Sequence, residues 1–342
     1  MSESIGIIGA GSWGIALAYL LTNNGNDVTV WSRSQESVEK LKINKGNAEK
    51  LPGVILPDSV IYTSNMEEAV KGKDIIVLVT PSSTIRQTCE LMKPHIEYNG
   101  DRPVILNCSK GIEKDSLMIM SDVILDVLPG AEVAILSGPS HAEEVGKGLP
   151  TTIVVGAFKK DTARYIQNVF MSDVFRVYIS PDMQGIELGA ALKNVVALAA
   201  GIADGLGYGD NTKAALITRG ITEIARLGMA MGCDFETFCG LSGIGDLVVT
   251  CASMHSRNRR AGILIGQGKT PEEAMKEVNM VVEGVYSAKA AYELSQKYDV
   301  EVPIIEQINQ VLFENKNPRD AVNDLMLRDK KLESSSQQWN RD

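Results

Sequence analysis

Lys193 sits mid-way along residues 184–204, a stretch apolar almost all round a helical wheel. Gly189, Ala190, Val196 and Ala197 lie three and four positions from it. An ammonium among such small apolar neighbours is costly unless it has a partner or lines a cavity. Burial, or a second cation such as Lys110 nearby, lowers its pKa toward the range where an amine exchanges protons near neutrality. Two blander readings compete, a stem that snorkels to water and a structural ion pair with Asp246.

Lys110 leaves the apolar run 104–107 in Ser109-Lys110-Gly111, where it either faces a bound substrate or is a surface lysine at a strand end. Asp246 lies in Leu241-Ser242-Gly243-Ile244-Gly245-Asp246-Leu247, whose glycines deliver the acid into what reads as an interior turn. Ser256 reads as the N-cap of a helix opening Arg257-Asn258-Arg259-Arg260. That helix start offers a phosphate oriented N–H groups and a bidentate guanidinium. Arg259 and Arg260 read as a solvated basic face. The cluster is short and has no interleaved aromatics, which argues against nucleic acid.

These residues need a scaffold. Up to about residue 180, short β-branched runs at 5–8, 28–31, 75–79, 104–107, 133–136, 153–155 and 174–178 alternate with helical stretches. Several runs are apolar throughout, as expected for strands covered by helices on both faces. The pattern predicts an α/β fold with an N-terminal Rossmann-like, doubly wound, mostly parallel sheet. From about Pro181 the strand signals stop. Residues 184–204, 211–231, 256–265, 271–278, 285–298, 304–313 and 318–326 read as helices, with Pro181, Pro271 and Pro318 where a proline can begin one. The organisation predicted is a dinucleotide-binding domain at 1–180, an all-helical substrate and catalytic domain at 181–330, and a polar, frayed tail at 331–342.

The first run leads straight into Gly9-Ala10-Gly11-Ser12-Trp13-Gly14, then an apolar helix and a second strand from Val28, which is the context a G-x-G-x-x-G loop requires. Gly9 allows the tight turn, Gly11 lets the backbone approach a pyrophosphate, and Gly14 lets helix and strand lie close. A glycine turn that binds nothing is the alternative. Past the second strand the chain reads Trp31-Ser32-Arg33-Ser34, with no acid for the ribose hydroxyls. An arginine flanked by serines suits a 2′-phosphate, so NADP(H) is favoured; NAD(H) and a merely solvated Arg33 stay open. Thr80-Pro81-Ser82 and Ser137-Gly138-Pro139-Ser140 also follow strands, at the sheet edge where open α/β folds bind ligands.

The 342 residues carry 34 Lys and Arg against 43 Asp and Glu, a net charge of −9. The length accommodates two domains, and the acidic balance argues against a chain built to coat nucleic acid or an anionic membrane. It leaves room for one basic pocket holding a small anion. No run approaches the ~18 consecutive apolar residues that suggest a membrane span, and no signal peptide is visible. Five cysteines without a C-x-x-C pair, and three scattered histidines, point to reduced thiols in the cytoplasm and no metal site.

Seven blocks occur in order: GAGSWGIALA (9–18), NCSKGIE (107–113), LSGPSHAEEV (136–145), ALKNVVALAAGIADGLGYGDNTKAALITRG (191–220), GLSGIGDLVVTC (240–251), SRNRRAG (256–262) and VVEGV (281–285). With them the chain resembles, from Ile5 to about Arg328, the bacterial-type NAD(P)-dependent sn-glycerol-3-phosphate dehydrogenases. The glycine loop is shared with many enzymes, whereas ALKN, GIGDL and SRN together are specific. The resemblance implies reversible NAD(P)H-dependent reduction of dihydroxyacetone phosphate to sn-glycerol 3-phosphate, supplying phospholipid synthesis. It also implies roles. Lys193 is the proton donor and acceptor, Asp246 orients it, and Lys110 contacts both substrate and cofactor. Gly138, Ser140, Asn194 and Thr250 line the substrate pocket, while Ser256, Arg257 and Asn258 hold the phosphate. Ser12, Trp13, Arg33, Ala142, Val281 and Glu283 fall on cofactor positions, with Arg257 shared. Two alternatives are a related two-domain reductase of another small hydroxy or keto acid, and a non-catalytic NADP(H)-binding sensor. The helical domain could support a homodimer, though no periodicity marks an interface.

Overall fold

A computed structural model describes residues 2–97, 103–330 and 332–333; the rest of the tail predicted at 331–342 lies outside the described residues. Eight strands form one sheet: β1 (Ser4–Ile8), β2 (Asp27–Trp31), β3 (Ile61–Thr63), β4 (Ile75–Leu78), β5 (Val104–Asn107), β6 (Glu132–Ser137), β7 (Thr151–Ala157) and β8 (Phe175–Ser180). Their order is β3-β2-β1-β4-β5-β6-β7-β8. Every neighbouring pair is parallel except β6 and β7.

The two-faced burial explains the apolar runs. Ile5, Ile7, Ile75, Val77, Val104 and Leu106 pack into a core on one face, and Ile8, Ile76, Leu78 and Ile105 into a core on the other. Successive side chains of a strand point to opposite faces, so a strand with helices on both sides must be apolar at every position. β3 carries no such run, because it is a three-residue edge strand whose Ile61 is exposed.

The chain leaves β8 and enters a third core built mainly from helices around Met183–Gly205. Asp182 caps this central helix, its carboxylate accepting from the Gly185 N–H at 2.9 Å. Pro181 therefore precedes the cap and does not start the helix, whereas Pro271, Pro303 and Pro318 do open theirs. The central helix is also the one described helix long and apolar enough to cross a bilayer, and protein covers it, residues 185–203 all being buried.

The helix Arg257–Gly266 crosses the central helix backbone against backbone. A Cβ at Gly201 would lie 2.1 Å from the Arg259 carbonyl oxygen, and one at Gly262 would lie 2.2 Å from that of Leu198. At Gly266 the distance to the Ile202 oxygen would be 2.3 Å. Only glycine permits an approach this close.

Candidate functional site

The glycine loop lies between β1 and the helix Ser12–Asn23, where the sheet order turns from β2 on one side to β4 on the other. Open α/β folds bind dinucleotides at this switch point. Gly9 has φ +126°, and its Cβ would lie 3.0 Å from the Val79 carbonyl oxygen. A Cβ on Gly14 would lie 2.0 Å from the Gly9 oxygen. Both glycines are thus required by the fold itself. Gly11 is not: its φ is −74°, and a Cβ there would meet nothing within 4 Å. Open space at the N-cap of an uncapped helix is what a pyrophosphate approaching free N–H groups requires, so the residues present fit a dinucleotide. Ser12 donates its hydroxyl to the Lys50 carbonyl at 2.7 Å, and Trp13 lies against the Cys108 thiol, which burial pushes up to about 12. Arg33 is exposed just past β2, and Ser34 caps the next helix.

Where the loop after β5 meets the helical half, Asp246 joins two lysines. Its Oδ1 accepts from Lys193 Nζ at 2.5 Å and its Oδ2 from Lys110 Nζ at 2.6 Å. Asp246 is 2% exposed, and the Lys193 side chain 7%. The ion pair expected as a rival to chemistry is present, and its second arm recruits Lys110, which reaches over from the loop after β5. Lys193 is lowered from 10.5 to about 8: burial pushes it down most, Asp246 pulls against that, and the Lys110 cation adds to the fall. Burial alone would raise the Asp246 carboxyl, but the two ammoniums outweigh it and hold it below the usual carboxylate range. Asp246 does not sit in an interior turn. Gly243, at φ −95° and ψ −106°, breaks the helical path, and Asp246 then opens the helix Asp246–Ala252.

Thr250 lies one turn along that helix. Its hydroxyl donates to the Asp246 carbonyl at 2.6 Å and accepts from Lys193 Nζ at 2.8 Å. Two of the three ammonium donors are therefore spent on fixed acceptors, and the third has no acceptor among the described residues. Lys110 and Ser140 both donate to the Gly138 carbonyl, at 3.4 and 3.0 Å. Gly138, at φ +140°, turns the chain there, and Ala142 is buried just beyond.

Asn194, beside Lys193, accepts from Asn258 Nδ2 at 2.8 Å, and Asn258 Oδ1 accepts from the Gly284 N–H at 2.8 Å. This chain fixes the start of Arg257–Gly266, which Ser256 caps by accepting from the Arg259 N–H. Arg257 itself makes no hydrogen bond or close ion pair among the described residues. Burial lowers it, while the more distant Glu283 and Glu143 raise it. A half-buried guanidinium with unspent donors beside a capped helix N-terminus is a ready anion receptor. Glu283 accepts from the Ser82 hydroxyl at 2.6 Å and backbone N–H at 3.2 Å, tying the loop after β4 to the helical half; half-buried Val281 lies two residues before it.

Arg259 corrects the solvated reading. It pairs with Asp204 at 2.7 Å and donates to the Ala252 carbonyl at 2.6 Å, anchoring the helix that carries Arg257. His141 was not singled out by spacing. Its Nε2 is buried with no partner among the described residues, its ring stands 5.7 Å from that of His255, and burial and the Lys193 cation lower its pKa. Its place directly after the Gly138-Pro139-Ser140 strand end was the available signal.

Two family models match the chain. The NAD-dependent glycerol-3-phosphate dehydrogenase N-terminus covers residues 4–163 and the C-terminus of the same family residues 182–323. A glycerol-3-phosphate dehydrogenase [NAD(P)+] of Fusobacterium nucleatum is 61% identical over 97% of this chain and 99% of its own. That of Agathobacter rectalis is 58% identical over 98% and 99%. The crystal structure of glycerol-3-phosphate dehydrogenase from Coxiella burnetii superimposes with a TM-score of 0.91 at 36% identity, over 96% of this chain and 99% of that one. The chain belongs to the NAD-dependent glycerol-3-phosphate dehydrogenase family.

Proposed function

We propose that this NAD(P)-dependent glycerol-3-phosphate dehydrogenase reduces dihydroxyacetone phosphate with Lys193 as proton donor, Lys110 as substrate ligand, Asp246 as the carboxylate that orients both, and Arg257 as the phosphate receptor. The observation that carries this reading is the buried bridge of Asp246 between Lys193 and Lys110, at 2.5 and 2.6 Å. Residues 1–180 hold the cofactor in this reading, and 181–330 supply the acid and the phosphate seat.

When bound, the nicotinamide supplies a hydride to the ketone carbon. The chain's own work is to meet the charge that develops on the oxygen. Lys193 Nζ delivers a proton to that oxygen and takes it back in the reverse direction, and the Lys110 ammonium stabilises the same negative charge. Ser256, Arg257 and Asn258 hold the phosphate, so the three-carbon ketone spans a fixed gap. The product, sn-glycerol 3-phosphate, is a building block for phospholipid synthesis.

Arg257→Ala removes an unspent guanidinium without disturbing the Lys193–Asp246–Lys110 bridge. It is expected to raise the KM for dihydroxyacetone phosphate by about ten- to a hundredfold with a smaller change in kcat, a charge-assisted hydrogen bond contributing ~1.5–3 kcal/mol. Steady-state kinetics check this, and efficient turnover of unphosphorylated dihydroxyacetone would overturn the phosphate assignment.

The exposed Arg33, with no acid beside it at the end of β2, favours NADPH over NADH. The ratio of kcat/KM with the two cofactors measures this, and Arg33→Ala is expected to lower it by about tenfold, near the ~1.5 kcal/mol of one charge-assisted contact. An unchanged ratio would leave Arg33 a solvated residue. NADPH binding without turnover of either cofactor would favour the sensor reading.

A further inference from the structure

Glu187 is a fully buried carboxylate that the proton-transfer scheme does not use. It lies on the central helix, and no cation pairs with it among the described residues. Four hydrogen bonds converge on it instead. The Ser121 N–H lies 3.1 and 3.2 Å from its two oxygens, and the Ser121 hydroxyl and Asn107 Nδ2 donate at 2.5 and 2.9 Å. Burial raises its carboxyl to about 7 against the pull of those donors, with Asp122 the charged neighbour that adds to the rise.

Asn107 ends β5, three residues before Lys110. Its Oδ1 accepts from the Ser109 N–H at 3.0 Å and its Nδ2 donates to the Ser109 carbonyl at 3.1 Å. Ser109 is also tied through its hydroxyl to the Thr80 carbonyl at 2.5 Å. One amide, that of Asn107, thus makes two of the hydrogen bonds that hold the loop launching Lys110 toward Asp246. An amide can sit in either of two flipped orientations, and its neighbours decide which. Glu187 offers only acceptor oxygens when ionised, so it selects the orientation with Nδ2 inward. Oδ1 is then left to receive the Ser109 N–H. With the amide reversed, two N–H donors would face each other at Ser109.

We infer that Glu187 is a positioning residue for Lys110: through Asn107 it fixes, from the central helix that carries Lys193, the loop that aims Lys110 at the substrate. The inference rests on the assignment of Lys110 as a substrate ligand. It makes the central helix the common reference for both lysines, one carried directly and the other set through a buried hydrogen-bond chain.

Steady-state kinetics of Glu187→Ala, Glu187→Gln, Lys110→Met and the double variant Glu187→Ala/Lys110→Met test it. Glu187→Ala is expected to lower kcat/KM for dihydroxyacetone phosphate by about ten- to a hundredfold, as small misplacements of a positioned group do. In the Lys110→Met background the same change is expected to cost less than about threefold, since residues acting through one another are not additive. Glu187→Gln, whose Oε1 still accepts from Asn107 while its Nε2 donates to the Ser121 hydroxyl, is expected to recover most of the loss. Asn107→Ala breaks the chain at its other end and takes the place of Glu187→Ala should that variant not fold, with the same dependence on Lys110. Losses that multiply would overturn the inference alone, because a merely structural carboxylate acts whether or not Lys110 is present. A Lys110→Met enzyme as active as its parent would overturn the Lys110 assignment, and with it the need for a residue to position that side chain.

Discussion

Alanine in place of Lys193 is expected to cut kcat for dihydroxyacetone phosphate reduction by about 10²–10⁴-fold, the span a positioned general acid supplies, and to leave NADPH affinity nearly unchanged. Asp246 keeps its second partner, Lys110, so the variant does not strand a buried carboxylate. Alanine is also the most favourable residue for the middle of a helix. The parent enzyme's pH profile is expected to carry the signature of the same group. With Lys193 as the proton donor, reduction needs it protonated, and its pKa is lowered to about 8. Reductive kcat/KM is therefore expected to hold below that pH and to fall above it. The oxidation of glycerol 3-phosphate needs the neutral amine and should rise through the same point. Stopped-flow hydride transfer across the alkaline range checks both limbs. Near-parental turnover in Lys193→Ala, or limbs of the same sign in both directions, would remove Lys193 as the proton donor.

Asp246→Asn is expected to damage stability and chemistry together. The amide keeps the shape of the carboxylate but offers one acceptor oxygen where two ammoniums now bind. One lysine then faces an NH₂ group, and both cations lose their counter-charge. Breaking a buried ion pair by removing one partner costs about 3–5 kcal/mol. Lys193 loses the neighbour that raises its pKa, so burial and Lys110 push it further down. The alkaline limb of reduction should move to lower pH, and the thermal midpoint should fall. Calorimetry and a pH series of kcat/KM read the two effects separately. An unshifted limb with reduced stability would make Asp246 a structural partner only.

The strands β1, β2 and β4 to β8 were legible because their sequence signals are local. The glycine loop, the strands at Ile5 and Val28, and the missing acid at Arg33 all fall within one continuous stretch. Seven helices of the second half were also read within a residue or two of their observed ends, as apolar periodicity and Pro271 and Pro318 allow. What escaped depends on partners far along the chain. β3 has no apolar run to announce it, and the reversal between β6 and β7 follows from how β7 docks, not from its composition. Arg259 looked solvated because its partner, Asp204, stands far away in sequence. Asp246 read as a turn residue because the helix it opens is short and follows three glycines. His141 and Glu187 are single polar residues whose meaning lies in what surrounds them once folded.

The glycine crossing of the two central helices has the properties of a calliper with welded jaws. Lys193 sits on one jaw, and the helix start bearing Arg257 forms the other. Interfaces packed by side chains can be opened by small increments, exchanging valine for leucine. This one offers no such increment, since the first carbon added at Gly201, Gly262 or Gly266 lands 2.1–2.3 Å from a carbonyl oxygen. Any residue there but glycine must wedge the jaws apart along their whole length. In the proposed reading, accommodation of a longer or shorter phosphorylated ketone therefore has to come from side chains such as Arg257, and not from the frame that sets its width.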